Sequence, residues 1–549
     1  MKNTKLVLLP ATLALCAMAI TGCAIKGGQQ DIDSDPEGKK VLQIGVVSKG
    51  YGYAFAEDLI EAYNKKQNEV TAKLVYKGPN GAYQDQRLQL PNNQVDIIFA
   101  LNNTVFSTQV NSSLKYHWAD LSDVYNAPLE GYKESDGVKT NKDYLDQSFV
   151  NGFTFTDGKQ YSVPFTSGVV GLLCNKTKWD MTNANLKSAG KEELVLPKTT
   201  TEMFTLFERI KTTDVKNASG GTYAFSYSGA NSYMHFMFNA LWPQYLGPTA
   251  AENFFKGQDE NGVYTPEIYR TDARLYAYET VRTMILGSKG YVSSADIGNT
   301  YDVEQLSFLR GNAFFSCNGD WMENEASKLF NPGEADVILL RTPILSEIVK
   351  NPAISSDFTG SDARKDEKLS NIISFIDEHY IDADETPTEE HASSLSISLN
   401  TLEFIKHARL VRHSLLDFIG LVPENSTELE EAKDFLKFML TKDGQEIVMK
   451  ATYGCAAPMT IDYGQMEAYQ YGTYFTKSRL EIIKKSIPYG NAMNYPMEYL
   501  AKCTPCLDLK IATSFGGKNP ITASALMNEE YQNYSQTWSD KMKAAGVSN

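Results

Sequence analysis

VLQIGVVSKGYGYAFAEDLIEAYNKKQNEVTAKLVY, residues 41–76, decides the fold. Val41–Ser48 is almost continuously apolar, as a parallel strand covered on both faces must be. Lys49–Tyr53 turns the chain, and Phe55, Leu59, Ile60 and Tyr63 then recur on one face of a helix. Thr71–Tyr76 predicts a second strand and Val95–Ala100 a third. Strand, helix, strand in this order means a parallel sheet with helices on its faces, an α/β fold. Ligands of such sheets sit at the carboxyl ends of the strands. Two loops therefore stand out, Lys49–Tyr53 and Leu101–Thr104.

Upstream, Lys2 and Lys5 precede an apolar run from Leu6 to Ile20 that ends in Ile20-Thr21-Gly22-Cys23. The run is too short to span a membrane and has the layout of a secretory signal peptide. Its end resembles a bacterial lipobox, which implies cleavage before Cys23 and a lipid on that cysteine. Residues 1–22 are thus expected outside the fold, with 23–40 as a polar, Gly- and Asp-rich tether. The 549 residues suffice for two or three domains, and the formal charge of −15 becomes −17 when Lys2 and Lys5 leave with the leader. Such acidity carries no electrostatic footprint for nucleic acid or an anionic lipid surface. Five cysteines follow Cys23: Cys174, Cys317, Cys455, Cys503 and Cys506. The odd count leaves at least one thiol free, and Cys503-Thr504-Pro505-Cys506 is spaced for a small disulfide or for two plain thiols.

Gly50-Tyr51-Gly52 begins like a dinucleotide-binding loop, but Phe55 stands where the third glycine belongs. No cofactor is expected. Tyr51 and Tyr53 on a glycine-loosened turn suit another purpose, stacking on the apolar face of a sugar ring.

Tyr161-Ser162-Val163-Pro164-Phe165, followed by Gly171-Leu172-Leu173-Cys174-Asn175-Lys176, resembles a signature of extracellular solute-binding proteins of ABC transporters, family 1, with Cys174 in place of the usual tyrosine. Leu196-Pro197-Lys198-Thr199 and Glu202 are similar to the family's "proline-x-threonine-tryptophan-x-glutamate", with Thr200 at the tryptophan position. Thr199 and Glu202 also have the spacing of a capping box. Phe308–Phe315 and Asn318-Gly319-Asp320-Trp321 resemble its "glycine-x-tryptophan" region, and Val337–Leu340 with Thr342-Pro343 the strand after it. Ser394–Ser398, Thr427–Leu440, Gly454 and Pro458 complete the order, so the resemblance spans residues 41–460.

The resemblance implies a two-lobed, periplasmic-binding-protein-like fold of type II, with several chain crossings at a hinge and solute held in the cleft. Lobe one would comprise 41–165 and 392–453, and lobe two 166–345 and 454–549. Residues 346–391 read as a polar insertion near the hinge. Its acidic run Asp382-Ala383-Asp384-Glu385 lacks the alternating ligands and central glycine of a calcium loop and reads as a solvated loop; no metal is expected.

By the same resemblance Trp321, beside Asp320, would stack on a sugar, against the competing reading of a buried core anchor. Trp242 and Tyr245, three apart in an aromatic stretch with Tyr233 and His235, either line the cleft or join the core. Thr166, Ser167, Asn102 and Asn103 offer hydroxyl and amide groups to sugar hydroxyls, or serve turns and caps. No nucleophile elbow, zinc helix or phosphate loop occurs, and the six histidines are scattered. The chain therefore reads as a monomeric, lipid-anchored receptor of an ABC importer, not an enzyme, that takes an oligosaccharide. Membrane contact would come through the lipid alone and nucleic acid is no partner. Rival readings are a surface adhesin or sensor lipoprotein, and an importer receptor for peptide, polyamine or an anionic sugar.

Overall fold

The computed structural model describes residues 38–90, 94–101, 109, 115–132, 139–155, 157–331, 333–414, 418–455, 457–459, 463–490 and 510–544. Two sheets organise it. The first takes β1 (Lys40–Val47), β2 (Val70–Gly78), β3 (Ile97–Leu101), β4 (Val163–Pro164) and β10 (Phe418–Leu421), in the order β2-β1-β3-β10-β4. β1 runs parallel to β2 and β3, whereas β10 is antiparallel to β3 and β4. The helix Ala54–Lys66 buries Phe55, Ala56, Leu59, Ile60 and Tyr63. That is the strand, helix, strand unit the sequence predicts.

The second sheet takes β5 (Val169–Asn175), β6 (Tyr223–Ser226), β7 (Ala313–Gly319), β8 (Val337–Leu339), β9 (Val411–Ser414) and β11 (Ile487–Gly490). β5 and β7 are central, and every residue of both is buried. β5 pairs antiparallel with β7, β8 and β9, while β6 lies parallel to β7. The architecture is two α/β lobes, one per sheet. The chain passes between them after β4, after β9 and again between β10 and β11. Two of these passages are tied together, because the Ser414 hydroxyl donates to the Ser167 carbonyl.

Two expectations are corrected here. The return to the first sheet does not begin at 392: β9 still belongs to the second sheet, and the first sheet resumes only at Phe418. Nor is the insertion 346–391 polar throughout, although its acidic run Asp382–Glu385 is exposed to solvent as expected. The helices Asp362–Ile376, Glu389–Ser394 and Leu399–Leu410 enclose a second apolar core that includes Ile348, Ile354, Phe358, Leu369, Ile372, Ile373, Ile376, Leu402 and Ile405. Leu369, Ile372, Ile373 and Ile376 repeat at helical spacing behind the charged run Asp362–Lys368, which hides them from a reading of composition. This unit is bound to the second lobe through polar contacts. Thr199 Oγ1 donates to Asp366 at 3.1 Å and Lys198 Nζ to Ser374 at 2.6 Å, while within the unit Arg409 grips Asp377 with two nitrogens at 2.8 Å. The acidic run is used for polar contacts, Asp384 in an ion pair with Lys485 and Glu385 hydrogen-bonded with His379 Nδ1.

Thr199 caps the helix Thr200–Ile210 by accepting from Glu202 N, as its spacing predicts. The Glu202 carboxylate, however, reaches back to Lys198 N rather than Thr199 N. Cys174, Cys317 and Cys455 are free and buried; Cys503, Cys506 and Cys23 lie outside the described residues. Among the described residues no helix is long and apolar enough to cross a membrane, and no group of three or more His, Cys, Asp or Glu side chains is placed to hold a metal ion.

Candidate ligand site at the lobe junction

β1 and β7 end on opposite sides of the junction between the lobes. From β1 the chain enters Lys49–Tyr53, where Gly50 and Gly52 adopt φ of +41° and +68°. A side chain at Gly50 would also stand 3.1 Å from Trp321 Cβ, so this glycine is required twice over. β7 ends at Gly319, directly before Asp320 and Trp321. A Cβ on Gly319 would lie 2.3 to 2.5 Å from the Trp321 indole, which gives the glycine of the Gly-x-Trp motif a steric reason.

These two turns meet. The Tyr51 hydroxyl donates to Asp320 Oδ1, and Asn324 Nδ2 donates to the Gly50 carbonyl at 2.6 Å. The Tyr51 ring lies edge-on to Trp321 at 6.2 Å, to Phe165 at 6.0 Å and to Phe418 at 4.5 Å. Phe236 and Phe418 approach the Trp321 ring at 5.6 and 6.0 Å. Trp321 is 5% exposed and Tyr51 1%, so the lobes are closed on each other here.

Asp320 is the polar centre. Its Oδ2 accepts from Val169 N at 3.2 Å, and its carbonyl accepts from Arg479 Nη1 at 3.0 Å. Arg479 is itself fully buried. Burial pushes the Asp320 carboxyl up from its ordinary value, opposed by the Arg479 charge and by the Tyr51 hydrogen bond. Burial and the Asp320 carboxylate together hold the Tyr51 phenol well above its usual value, so the hydroxyl remains a donor. Next to this centre, Thr166 and Ser167 are buried in the passage between β4 and β5. The Ser167 hydroxyl has no partner among the described residues.

Tyr51, Thr166, Ser167, Asp320 and Trp321 are thus brought together, and the other candidates are not. Trp242 lies in the interior of the second lobe, with Nε1 donating to Asn239 and its ring against Phe254, Phe255 and Arg274. Tyr245 is also buried, against Tyr276. Both belong to the core because the helix Met234–Leu246 is apolar on nearly all sides and is covered accordingly. Tyr53 is 36% exposed with Lys77 Nζ 4.5 Å from its ring, outside the junction. Asn102 and Asn103 lie outside the described residues.

Sequence reasoning missed Phe418, Phe236 and Arg479. Phe236 sat inside the aromatic stretch already noticed, but Phe418 and Arg479 reach the site only through long-range pairing and carried no local signal. Two open surface cavities, of about 480 and 440 Å³, lie elsewhere: one beside Thr200, Glu279 and Thr522, the other beside Tyr63 and Asp434.

A family model, "Bacterial extracellular solute-binding protein", matches residues 47–340, more than half of the chain and the whole stretch that carries both turns. The chain belongs to that family. Solved structures share the fold of this solute-binding protein. The cyclic α-maltosyl-1,6-maltose binding protein of Arthrobacter globiformis is 14% identical, with 92% of this chain and 100% of that chain covered and a TM-score of 0.56. The GacH receptor of Streptomyces glaucescens, solved unliganded and with acarbose, is 16% identical, with coverages of 90% and 98% and a TM-score of 0.51. RafE of Streptococcus pneumoniae is 13% identical, with coverages of 92% and 99% and a TM-score of 0.51; RafE has also been solved in complex with raffinose. A sequence comparison with curated proteins finds no match.

Proposed function

We propose that this solute-binding protein captures an oligosaccharide between its lobes and delivers it to the membrane subunits of an ABC importer. The observation that carries the reading is the Asp320–Trp321 turn at the carboxyl end of β7, facing the Lys49–Tyr53 turn of the other lobe. An indole beside a buried carboxylate suits a sugar, whose ring faces are apolar and whose rim is a row of hydroxyl donors. Three fold relatives described as binding cyclic maltosyl-maltose, acarbose and raffinose support the same class.

In this mechanism opening separates Tyr51 from Asp320 and bares one face of Trp321. A sugar hydroxyl then takes the place of the Tyr51 hydroxyl on Asp320, and the lobes close over the ring. Closure is favoured by the difference in affinity between the two forms. The importer distinguishes them by shape. We further propose that the receptor is a monomer without catalytic activity, held outside the cell membrane by a lipid on Cys23. The free Ser167 hydroxyl and the Thr166 hydroxyl are additional sugar contacts in this scheme.

The test is thermal unfolding of the purified full chain against mono- and oligosaccharides, peptides and polyamines. A ligand at 100 times its dissociation constant adds about 2.7 kcal/mol of stability. The expected result is a rise in Tm with one oligosaccharide class, lost in Trp321→Ala while that variant still unfolds cooperatively. A rise with peptides or polyamines alone, or no rise with any compound, would overturn the reading.

A further inference from the structure

β8 and β9 share one edge of β5, with β8 opposite Leu173–Asn175 and β9 opposite Val169–Val170. Between them the Leu340 N–H donates to the Leu172 carbonyl at 2.9 Å, and beyond it the sheet leaves a cavity of about 10 Å³. That is room for a single water-sized particle. Leu339 and Ile482 contribute apolar wall, and Arg341, Arg409, Arg412 and Ser486 line the remainder.

Three arginines thus meet one small cavity. The charge of Arg409 is matched, since Asp377 takes two of its nitrogens, and its Nη1 reaches the Thr342 carbonyl at 3.5 Å. Arg341 and Arg412 have no such match. Arg341 Nη1 donates to the Lys485 carbonyl at 2.9 Å, and Arg412 donates through Nε to Ser486 Oγ and through Nη1 to Ser414 Oγ, both at 2.7 Å. All three acceptors are neutral. Arg412 is 4% exposed and Arg341 half-buried. Burial, and for Arg341 the neighbouring Arg409 charge, lower both guanidiniums to about 10. The charges of Asp377, Asp382 and Glu481 act on Arg341, and those of Asp146 and Asp320 on Arg412, in the opposite sense. A buried cation whose hydrogen bonds all go to neutral groups is costly, and an anion beside it offsets that cost.

We propose that this gap in the second sheet binds one halide ion, chloride or bromide, held by Arg341 and Arg412. An ion of a single atom suits the cavity, whereas sulfate and phosphate, each with four oxygens, do not fit. The ion then ties together three segments far apart in sequence: the end of β8, the helix Leu399–Leu410 where it runs into β9, and the residues before β11. Its occupancy stabilises the second lobe and the attached helical unit, independently of any solute between the lobes.

The experiment is thermal unfolding of the full chain in sodium gluconate, with chloride, bromide or sulfate exchanged in at constant ionic strength. Wild-type Tm is expected to rise with chloride and with bromide and to saturate, the rise being about 1–2 °C at ten times the dissociation constant, while sulfate gives no saturable rise. Arg341→Gln is expected to lose the halide response. Crystals of the wild type soaked in bromide give a readout that needs no variant, with anomalous density expected in the cavity beside Arg341. No halide response in the wild type, an equal response to sulfate, a response of full size in Arg341→Gln, or a cavity without anomalous density at saturating bromide would each overturn the proposal.

Discussion

The Tyr51–Asp320 hydrogen bond joins the two lobes through a single pair of side chains. Hydrogen bonds to a charged group contribute about 1.5–3 kcal/mol, enough to change the ratio of closed to open protein by a factor of about ten or more. Tyr51→Phe keeps the ring contacts with Phe418 and Phe165 and deletes only this bond. The ligand-free variant is expected to scatter X-rays as a larger particle than the wild type and to show red-shifted Trp321 fluorescence. An unchanged scattering curve would mean that the aromatic contacts hold the lobes without the bond. At this scale the Gly319-Asp320-Trp321 motif was legible in the sequence because sterics dictate it: only glycine leaves room for the indole. Trp242 and Tyr245 were misread for an equally physical reason. A helix that is apolar all round does not show in its sequence which side faces a cleft and which a core.

Single elements are held by buried charge. Arg274, on the helix Asp272–Ile285, lies within 6 Å of five aromatic rings and pairs with Glu530 of the helix Ala523–Ala544 at 2.5 Å. The Tyr278 hydroxyl donates to the same carboxylate at 3.0 Å. Breaking a buried pair from one side costs about 3–5 kcal/mol because the remaining charge has no compensation. Glu530→Gln is therefore expected to lower the denaturant midpoint and to speed proteolysis of the C-terminal helix, and a variant as stable and resistant as wild type would contradict the assignment. The helix Tyr301–Leu309 carries the opposite device. Glu304 is fully buried, its Oε1 accepting from Ser226 and Ser316, and burial pushes its carboxyl from 4.5 to about 7. A carboxyl with a raised folded-state value favours folding most below the unfolded value, and that contribution disappears as pH rises through about 7. Buried His407 and His413, lowered to about 4 and 3, act the other way below pH 6.5 and so blur the profile of the wild type. Comparing wild type with Glu304→Gln removes the carboxyl together with its charge coupling to the buried Asp296, which Glu304 helps to hold above its ordinary value. Between pH 5 and pH 8 the variant is expected to gain on the wild type by up to about 3 kcal/mol in denaturant titrations. A constant difference across that range would show that Glu304 ionises at its ordinary value.

At the scale of the whole molecule, the order of elements was legible from residue 41 onward because hydrophobic period and strand length are local properties. The helical unit between β8 and β9 was not, since its apolar face lies behind the charged run Asp362–Lys368. The three passages between the sheets depend on pairings hundreds of residues apart, such as β10 with β3. The proposed attachment to the membrane likewise belongs to the scale of the whole chain. With the leader removed the body carries a charge of −17, so an anionic membrane surface repels it, and the proposed lipid on Cys23 must supply the adhesion. A lipid-held protein resists salt and yields to detergent. The wild type is expected to stay with the membrane fraction in 1 M salt, on the order of ten times the ionic strength that already screens charges beyond about 10 Å, and to enter solution with detergent. Cys23→Ala should lose incorporation of labelled palmitate and retain the leader, seen as a larger precursor by mass spectrometry. Release of the wild type by salt alone, or palmitate labelling of Cys23→Ala, would rule the anchor out and leave the receptor free between the membrane and the medium.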